Sequence, residues 1–344
     1  MSKKKVKRIG VVGFGFMGRM HYGNWKKIKG AQVVALCDKD LSQFTSPMQG
    51  GNVKGADTST DFGTTKLYDD YDRMLAEMDL DIVSITLPTP LHLPLTAKAL
   101  KAGVHVICEK PMALDTASCD AMLKAAKEAT NGAKLMIAHC LRFWPAYTFL
   151  KKIVESKKYG AVRSADFHRF SPPPGWSKGS NWLLDESKSG GVALDLHIHD
   201  SDMIHYLFGM PKSVSSSANY AESGTMLHIN TVYNYNGPII TATGNWSITP
   251  SMGFDAGYLV IFEHAVIRWN CTTGKPPQVC PEKGAAFDAK LEEGDGYLHE
   301  LQWFLDFVNG KKVPLIITPE QSRNSVRLVD AEKKSAHTRK TIKL

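Results

Sequence analysis

The first 140 residues alternate short apolar runs with amphipathic segments. The apolar runs are too short for helices and predict strands buried on both faces. These predicted strands are 6–12, 32–37, 81–87, 105–108 and 134–138. Between them, apolar positions recur at helical spacing over 17–28, 70–77, 93–102 and 116–129. Strands that alternate with helices of this length predict a doubly wound parallel sheet, so we assign residues 1–140 to an α/β domain.

After about residue 145 the segments become longer, and many of them alternate polar with apolar residues. One predicted helix, 146–157, is followed by predicted strands at 162–170, 214–221, 226–235, 239–248 and 259–269. Alternation of this kind predicts a sheet with one solvated face. Two helices, 297–308 and 319–334, close the chain. We therefore assign residues 141–344 to an α+β domain with a large, mostly antiparallel open sheet. Such an exposed face needs covering, so we expect a homo-oligomer, either a dimer or a tetramer.

The composition narrows the class of protein. Of 344 residues, 43% are hydrophobic and 22% are charged, as in ordinary globular proteins. No run approaches the roughly 18 consecutive apolar residues of a membrane span, so we expect no membrane partner. The formal net charge of +8 is concentrated near the two ends, without a recognition motif or a basic stripe interleaved with aromatic residues. We expect no nucleic-acid partner, although the charge could attract an anionic dinucleotide.

The cysteines point to a reducing compartment. Six are scattered along the chain without a CxxC pair, and several lie in apolar strand-like runs. This spacing favours neither a disulfide framework nor a zinc site. The basic N-terminus precedes a short apolar run broken by glycines, which is typical of a buried strand rather than a signal peptide. We therefore expect a cytoplasmic protein.

A glycine-rich motif follows the first predicted strand directly and opens a helix. In it, Gly13 permits a tight turn, Gly15 lets the backbone approach a pyrophosphate, and Gly18 allows close packing of helix on strand. The intervening Phe16 and Met17 lie at the helix N-terminus, where free N–H groups and the helix dipole favour phosphate. Strand, motif and helix together predict a dinucleotide-binding Rossmann domain.

An acidic residue ends the second predicted strand, twenty positions after the last glycine of the motif. The carboxylate of Asp38 can accept hydrogen bonds from both ribose hydroxyls of adenosine and would repel a 2′-phosphate. This favours NAD as the cofactor. The neighbouring Lys39 could partly accommodate a phosphate, so NADP is the less favoured alternative.

Three further segments resemble one family. They are Thr86–Leu87–Pro88–Thr89–Pro90–Leu91–His92, then Glu109–Lys110–Pro111, and the GGVALDLHIHDSD segment that begins at Gly190. With the glycine motif, they make the chain similar over nearly its whole length to the Gfo/Idh/MocA oxidoreductases, which include glucose–fructose oxidoreductase and inositol dehydrogenase. The resemblance implies an NAD-linked enzyme that acts on the secondary hydroxyl of a sugar, glycoside or cyclitol.

The resemblance also implies roles for individual residues. Lys110 would lie near the nicotinamide and the substrate hydroxyl, and Glu109 near the nicotinamide ribose. Asp195 and His199 would be the catalytic aspartate and histidine, and with Lys110 would contact substrate. The residues expected to border the cofactor are Leu87, Pro88, Thr89 and His92. The chain departs from the commoner family pattern at Leu87, where threonine is frequent, and at Thr89, where asparagine is frequent.

The residue types suit this chemistry. Glu109 and Lys110 follow the end of a parallel strand, where open α/β sheets bind ligands. Asp195 and His199 are four apart in a segment expected to be helical, and therefore share one face. Imidazole suits proton transfer near neutral pH, and a lysine stabilises a developing alkoxide.

Other assignments leave alternatives open. Arg142 is a candidate cofactor residue; the alternative is a surface arginine beside a core aromatic cluster. Trp182, and Trp176 in the preceding proline-rich loop, could stack on a sugar ring or anchor a core or interface. Tyr297 and His299 could reach the cleft. We expect no metal; the alternative would be a site drawn from Asp195, His197, His199, Asp202 and His205. His197 is expected to face the cleft or the sheet.

Two other functions are compatible with the same residues. In one, tightly bound NAD is recycled within a turnover, and transient oxidation of a sugar hydroxyl enables glycosidic cleavage. In the other, the protein binds NAD without catalysis. The presence of Lys110, Asp195 and His199 disfavours a pure binding protein, because binding alone requires no acid–base set.

Overall fold

The structure is a computed structural model that describes residues 6–46, 56–174 and 182–344. The chain divides into two compact units. The described parts of residues 1–140 group with 296–323, and the described parts of 141–295 group with 324–344. The boundary after residue 140 agrees with the sequence prediction, but the prediction placed 296–323 in the second domain. These residues belong to the first unit because the helix Gly296–Val308 packs against the helix Phe16–Lys27.

The first unit contains a six-stranded parallel sheet in the order β3-β2-β1-β4-β5-β6. Its strands are β1 (Lys7–Val12), β2 (Ala31–Cys37), β3 (Lys66–Tyr68), β4 (Ile82–Ile85), β5 (His105–Glu109) and β6 (Leu135–Ala138). The strand order runs outward from β1 in one direction to β3 and then, after a crossover, in the other direction from β4 to β6. Open α/β sheets bind ligands at such a reversal, which here lies between β1 and β4. The predicted doubly wound parallel sheet is thus confirmed, with β3 as a short strand that the sequence pattern did not reveal.

Helices connect these strands. In chain order, the α-helices of the described residues are α1 (Phe16–Lys27), α2 (Ser42–Thr45), α3 (Tyr71–Glu77), α4 (His92–Lys101), α5 (Thr116–Lys127), α6 (Pro145–Ser156), α7 (Glu186–Ser189), α8 (Ile198–Phe208), α9 (Gly296–Val308) and α10 (Pro319–Thr338). Asp70 and Asp115 begin α3 and α5 by accepting backbone N–H groups of Arg73 and Ser118, which satisfies donors that a helix start leaves free.

The second unit contains a nine-stranded sheet in the order β14-β13-β12-β11-β7-β10-β9-β8-β15. Its strands are β7 (Val162–Phe170), β8 (Ser213–Tyr220), β9 (Met226–Asn234), β10 (Ile239–Asn245), β11 (Asp255–Phe262), β12 (Ala265–Asn270), β13 (Gln278–Pro281), β14 (Phe287–Asp288) and β15 (Ile342–Lys343). Neighbouring strands pair antiparallel except β7 with β10. This confirms the predicted mostly antiparallel sheet.

One strand prediction in this unit is wrong. Residues 259–269 form parts of two strands, β11 and β12, because the chain reverses at Glu263 and His264. Apolar residues continue on both sides of the turn, so the hydrophobic pattern alone gave no sign of the reversal. The short strands β13, β14 and β15 were also not predicted.

The alternating pattern has the expected structural result. On β7, Ala165, Phe167 and Arg169 are buried, whereas the residues between them are partly or fully exposed. Because side chains alternate across a strand, one face of the sheet packs on the core of the unit and the other is open. No α-helix in the described ranges is long and apolar enough to cross a membrane.

Candidate functional site

The glycine loop between β1 and α1 has a different steric constraint at each glycine. Gly13 has a φ of 86°, a conformation that favours glycine. A Cβ on Gly18 would lie 1.9 Å from the carbonyl oxygen of Gly13, so only glycine lets the helix approach the strand. A Cβ on Gly15 would meet nothing within 4 Å. Gly15 therefore borders open space at the N-terminus of α1, as a phosphate-binding loop requires.

Asp38 is held against this loop. Its Oδ2 accepts the backbone N–H of Phe14 at 2.6 Å, and its Oδ1 accepts that of Asp40 at 2.9 Å. Burial raises the pKa of Asp38, and the two N–H donors oppose that rise. Phe16 and Met17 in the first turn of α1 are half-buried, and Lys39 is exposed. The residues predicted to bind the pyrophosphate and the ribose thus lie together at the ends of β1 and β2.

The segment after β4 is tied to the segment after β5 by His92. Its Nδ1 lies 2.8 Å from the carbonyl oxygen of Pro111, and its Nε2 lies 2.8 Å from that of Leu87. His92 is 1% exposed and Thr89 is also buried, whereas Leu87 and Pro88 are half-buried. His92 therefore supports the two segments from within, whereas Leu87 and Pro88 are partly open to solvent.

Lys110 follows the carboxyl end of β5 and is half-buried between buried neighbours, Glu109 and Pro111. The Lys110–Pro111 peptide bond is cis. Glu109 directs its carboxylate inward: Oε1 lies 3.1 Å from Nε2 of His21, and Oε2 accepts the backbone N–H of Lys110 at 3.1 Å. Of this pair, Lys110 is the residue that reaches solvent.

In the second unit, Asp195 and His199 lie on neighbouring turns of one helical segment. Residues 193–197 form a π-helical turn that continues into α8. All residues from 191 to 200 are buried except Asp195 and His199, which are half-buried. Turns of this kind occur often at functional sites. The prediction that the two side chains share one face agrees with this burial pattern.

Arg142 occupies a structural position. It is 1% exposed, its Nε and one terminal nitrogen donate to the two oxygens of Asp202 at 2.9 and 2.8 Å, and its guanidinium lies 4.5 Å from the ring centre of Tyr206. Ser325 also donates to Asp202, at 2.6 Å. These contacts argue against the cofactor assignment, because the guanidinium is already engaged inside the second unit. The alternative of a surface arginine is wrong, because Arg142 is buried.

The remaining candidates have varied surroundings. Trp182 is half-buried and its carbonyl accepts the N–H of Asp185, whereas Trp176 lies outside the described residues. Tyr297 and His299 are half-buried at the start of α9. Burial raises the pKa of Tyr297, as do the neighbouring Cys140, Glu109 and Glu300.

The alternative metal set does not present its side chains together. His197 is fully buried, with its Nε2 3.2 Å from Tyr233 Oη and 3.2 Å from Glu332 Oε2. It faces the sheet, since a Cβ on Gly244 of β10 would lie 2.8 Å from the His197 Cβ. Asp202 is already paired with Arg142. Two of the five proposed ligands are therefore committed to other partners.

Two residues of interest were missed by the sequence reasoning. His21 and Glu300 lie beside Glu109, and the three groups approach within 4.8 Å of one another. Glu300 had a signal in the sequence: it falls on the apolar face of its helix, four positions before the buried Phe304. His21 is likewise a polar residue among the buried positions of α1.

Family models match both parts of the chain. Residues 7–139 match the model described as "Oxidoreductase family, NAD-binding Rossmann fold", and residues 147–268 match the model described as "GFO/IDH/MocA C-terminal domain". The chain belongs to the Gfo/Idh/MocA oxidoreductase family. Its first unit is thus an NAD-binding Rossmann fold, and the glycine loop and Asp38 stand where this fold binds its dinucleotide.

Named dehydrogenases are similar to this chain in sequence. The chain is 33% identical over 206 residues to D-apiose dehydrogenase of Paraburkholderia graminis. This match covers 58% of this chain and 49% of that protein. It is 26% identical over 352 residues to myo-inositol 2-dehydrogenase of Thermotoga maritima, with 98% of each covered. For several of the curated relatives, the match spans about half of their length.

A solved structure shares the whole fold. Levoglucosan dehydrogenase in complex with NADH and levoglucosan superposes with a TM-score of 0.83, covering 98% of this chain and 99% of that one. The sequence identity is 19%, so this likeness establishes the fold of the Gfo/Idh/MocA family and nothing more specific.

Proposed function

We propose that the protein catalyses reversible, NAD-linked oxidation of a secondary hydroxyl on a sugar, glycoside or cyclitol. The observation that carries this proposal is the exposure of the predicted catalytic groups. Lys110 is half-buried between buried neighbours, and Asp195 and His199 alone reach the surface among residues 191–200. Acid–base side chains exposed within otherwise buried segments are suited to contact a ligand rather than to fill a core.

The residues of the first unit fit NAD. Open space at Gly15 and the N-terminus of α1 would receive the pyrophosphate, and Asp38 would accept the adenosine ribose hydroxyls. Leu87 and Pro88 would border the nicotinamide half. When bound, NAD supplies the acceptor for the hydride of the carbinol carbon. The acidic Asp38 disfavours a 2′-phosphate, which supports NAD over NADP.

The protein's own groups would handle the proton. In the proposed reaction, His199 accepts the proton of the substrate hydroxyl as the carbinol C–H bond breaks, and the product is a carbonyl compound. Lys110 stabilises the negative charge that develops on the substrate oxygen, and Asp195 orients the imidazole from the preceding turn. In the reverse direction His199 returns the proton.

The relatives support the substrate class. D-apiose dehydrogenase and myo-inositol 2-dehydrogenase are named for a sugar and a cyclitol, and levoglucosan dehydrogenase was solved with levoglucosan. These compounds share a ring that carries several neutral hydroxyl groups. We therefore propose an uncharged polyhydroxylated ring as substrate, with Trp182 as a candidate stacking surface.

A lysine substitution tests the proposal. A panel of sugars and cyclitols is screened for NADH formation, and Lys110→Met is compared with the wild type on the best substrate. We expect normal NAD affinity and at least about a 100-fold loss of turnover, because the positive charge that stabilises the developing alkoxide is removed. Lys127→Met at the exposed end of α5 is the matched control. Retained turnover in Lys110→Met would refute the assignment.

The same assay separates the competing functions. Release of a sugar from a glycoside without net NADH formation would support redox-assisted cleavage with recycled NAD instead. NAD binding without turnover on any member of a broad panel would support a binding protein.

We also propose a homo-oligomer formed through the open face of the second sheet. The strand register places Val232, Thr241, Asp166 and Leu259 in one row across this face. Val232 and Leu259 are 37% and 38% exposed, and Ile239 in the next row is 67% exposed. Light scattering after gel filtration tests this: the wild type should exceed the mass of one chain, and Ile239→Glu with Leu259→Glu should lower it. A monomeric wild type would contradict the proposal.

The cysteines support a reducing compartment such as the cytoplasm. Cys37, Cys108, Cys119 and Cys140 are buried as free thiols, and the half-buried Cys271 and Cys280 are also unpaired in disulfides.

A further inference from the structure

A histidine and two glutamates from three elements meet inside the first unit. His21 lies on α1, Glu109 ends β5 and Glu300 lies on α9, and their ligand atoms fall within 4.8 Å of one another. His21 and Glu300 are completely buried, and Glu109 is 6% exposed. Neither His21 nor Glu300 takes part in the chemistry proposed above.

Glu109 is the centre of this cluster, because its two carboxylate oxygens have different partners. Oε1 lies 3.1 Å from Nε2 of His21, and Oε2 accepts the backbone N–H of Lys110 at 3.1 Å. Nδ1 of His21 has no hydrogen-bond partner among the described residues, so the contact with Glu109 is the polar anchor of the ring. One carboxylate thus joins the helix of the glycine loop to the residue proposed to act on substrate.

The cluster needs positive charge, since two carboxylates buried this close together are otherwise costly. Burial alone would raise the pKa of Glu109, but His21 and the charge of Lys110 outweigh it and lower that pKa. Three other titratable residues that interact with Glu109 favour their neutral forms. Burial raises the pKa values of Cys108 and Tyr297 and lowers that of His92. His21 and Lys110 are thus the two residues whose contacts favour the ionised Glu109 carboxylate.

We propose that His21 and Glu300 are positioning residues for Lys110, with a proton held between His21 Nε2 and Glu109 Oε1. The Nε2–H of His21 donates to Glu109 Oε1, and the positive charge of Lys110 favours the same carboxylate. The Glu109 carboxylate is thereby fixed, and its bond to the Lys110 N–H fixes the backbone from which that side chain projects. The catalytic consequence rests on the proposed function; the cluster itself does not.

A double-mutant cycle tests the cluster without an activity assay. His21→Asn, Glu109→Gln and the double variant are compared by thermal unfolding of the full chain. Each single change should lower the Tm. The Tm of the double variant should be no lower than that of the less stable single variant, because the shared interaction is lost only once. Additive Tm losses would overturn the contact. Glu109→Gln and Glu300→Gln keep the side-chain shape, which protects folding.

Lys110 itself provides the second readout. The lysine side chains are labelled by reductive methylation with ¹³C-formaldehyde and observed by NMR. The methyl signal of Lys110 is the one that disappears in Lys110→Met. Glu109→Gln, His21→Asn and Glu300→Gln should each move this signal. The matched control is Glu332→Gln, which breaks a buried His–Glu contact of 3.2 Å in the second unit and should leave the signal in place. An unmoved Lys110 signal in all three variants would reject a positioning role, even for an inactive protein.

If the protein oxidises a polyol, kinetics give a third readout. Glu300→Gln should lower kcat at least about tenfold and change its pH profile, with NAD affinity within about twofold of the wild type. An unchanged kcat and pH profile would overturn the catalytic consequence. Metal analysis tests the alternative that the cluster binds a metal ion. A stoichiometric divalent ion in the wild type that is lost in Glu300→Gln would overturn the proposed hydrogen-bonded cluster in favour of a metal site.

Discussion

The backbone N–H of Phe14 donates a 2.6 Å hydrogen bond to Oδ2 of Asp38. The donor lies within the glycine loop and the acceptor follows the neighbouring strand, so the hydrogen bond joins the two parts of the proposed dinucleotide site. A carboxylate already oriented by the loop loses less freedom when it accepts ribose hydroxyls, which favours tight binding.

Replacement of Asp38 should therefore weaken NAD binding strongly. We expect Asp38→Ala to raise the Kd for NAD roughly 10- to 100-fold, as loss of hydrogen bonds to a charged acceptor implies. The Kd for NADP should change much less, because repulsion of the 2′-phosphate is removed at the same time. Calorimetric titration measures both constants. Asp40→Asn, which retains the backbone donor to Asp38, is the control; equal losses in both variants would argue against the ribose role.

NAD affinity should also depend on pH through Asp38. Burial raises the pKa of this carboxyl, and the Phe14 and Asp40 N–H groups oppose the rise. The ionised form that accepts hydroxyl groups is complete above the pKa and lost as pH falls through it. The affinity should therefore begin to decline at a higher pH than an ordinary aspartate would produce. Titrations from neutral to mildly acidic pH should show this decline in the wild type and not in Asp38→Asn.

Substitution of two glycines of the same loop should have different effects on NAD affinity and on stability. A Cβ at position 15 has open space, so Gly15→Ala should change the free energy of unfolding by no more than about 0.5 kcal/mol. Its NAD affinity should nevertheless fall about tenfold or more, because the methyl group occupies the approach of the pyrophosphate.

A Cβ at position 18 would overlap the Gly13 carbonyl, so Gly18→Ala should cost about 3 kcal/mol or more in stability. Urea unfolding and NAD titration separate the two effects. Normal NAD binding by a folded Gly15→Ala protein would contradict this account of the loop.

Arg142 should matter for stability rather than for cofactor binding. Asp202→Asn leaves a buried guanidinium without its carboxylate, and we expect a loss of about 3–5 kcal/mol in the free energy of unfolding. Replacing both partners, as in Arg142→Met with Asp202→Leu, should restore part of the loss. NAD affinity should stay within about twofold of the wild type in every variant that folds. A much weaker NAD affinity in Arg142→Met alone would instead support the assignment of Arg142 to the cofactor site.

The comparison between sequence and structure has a physical pattern. Strands β1, β2 and β7 and the predicted helices were recovered within a few residues, because their periodicity is local. The reversal at Glu263 and His264 was missed, since apolar residues stand on both sides of it and neither residue is a typical turn former. The assignment of 296–323 to the second domain failed for another reason: residues distant in sequence decide which unit a helix packs on.

The amino-acid sequence by itself determined the alternation of strands and helices, the glycine loop, and the acid at the end of β2, because these depend on neighbours a few positions apart. It also marked Lys110, Asp195 and His199 as chemical candidates. Only the tertiary structure decided that Glu109 turns inward to His21 and that Arg142 pairs with Asp202, across 88 and 60 residues of chain. Such contacts depend on strand order and helix faces, which bring charged groups together where low dielectric makes every unpaired charge costly.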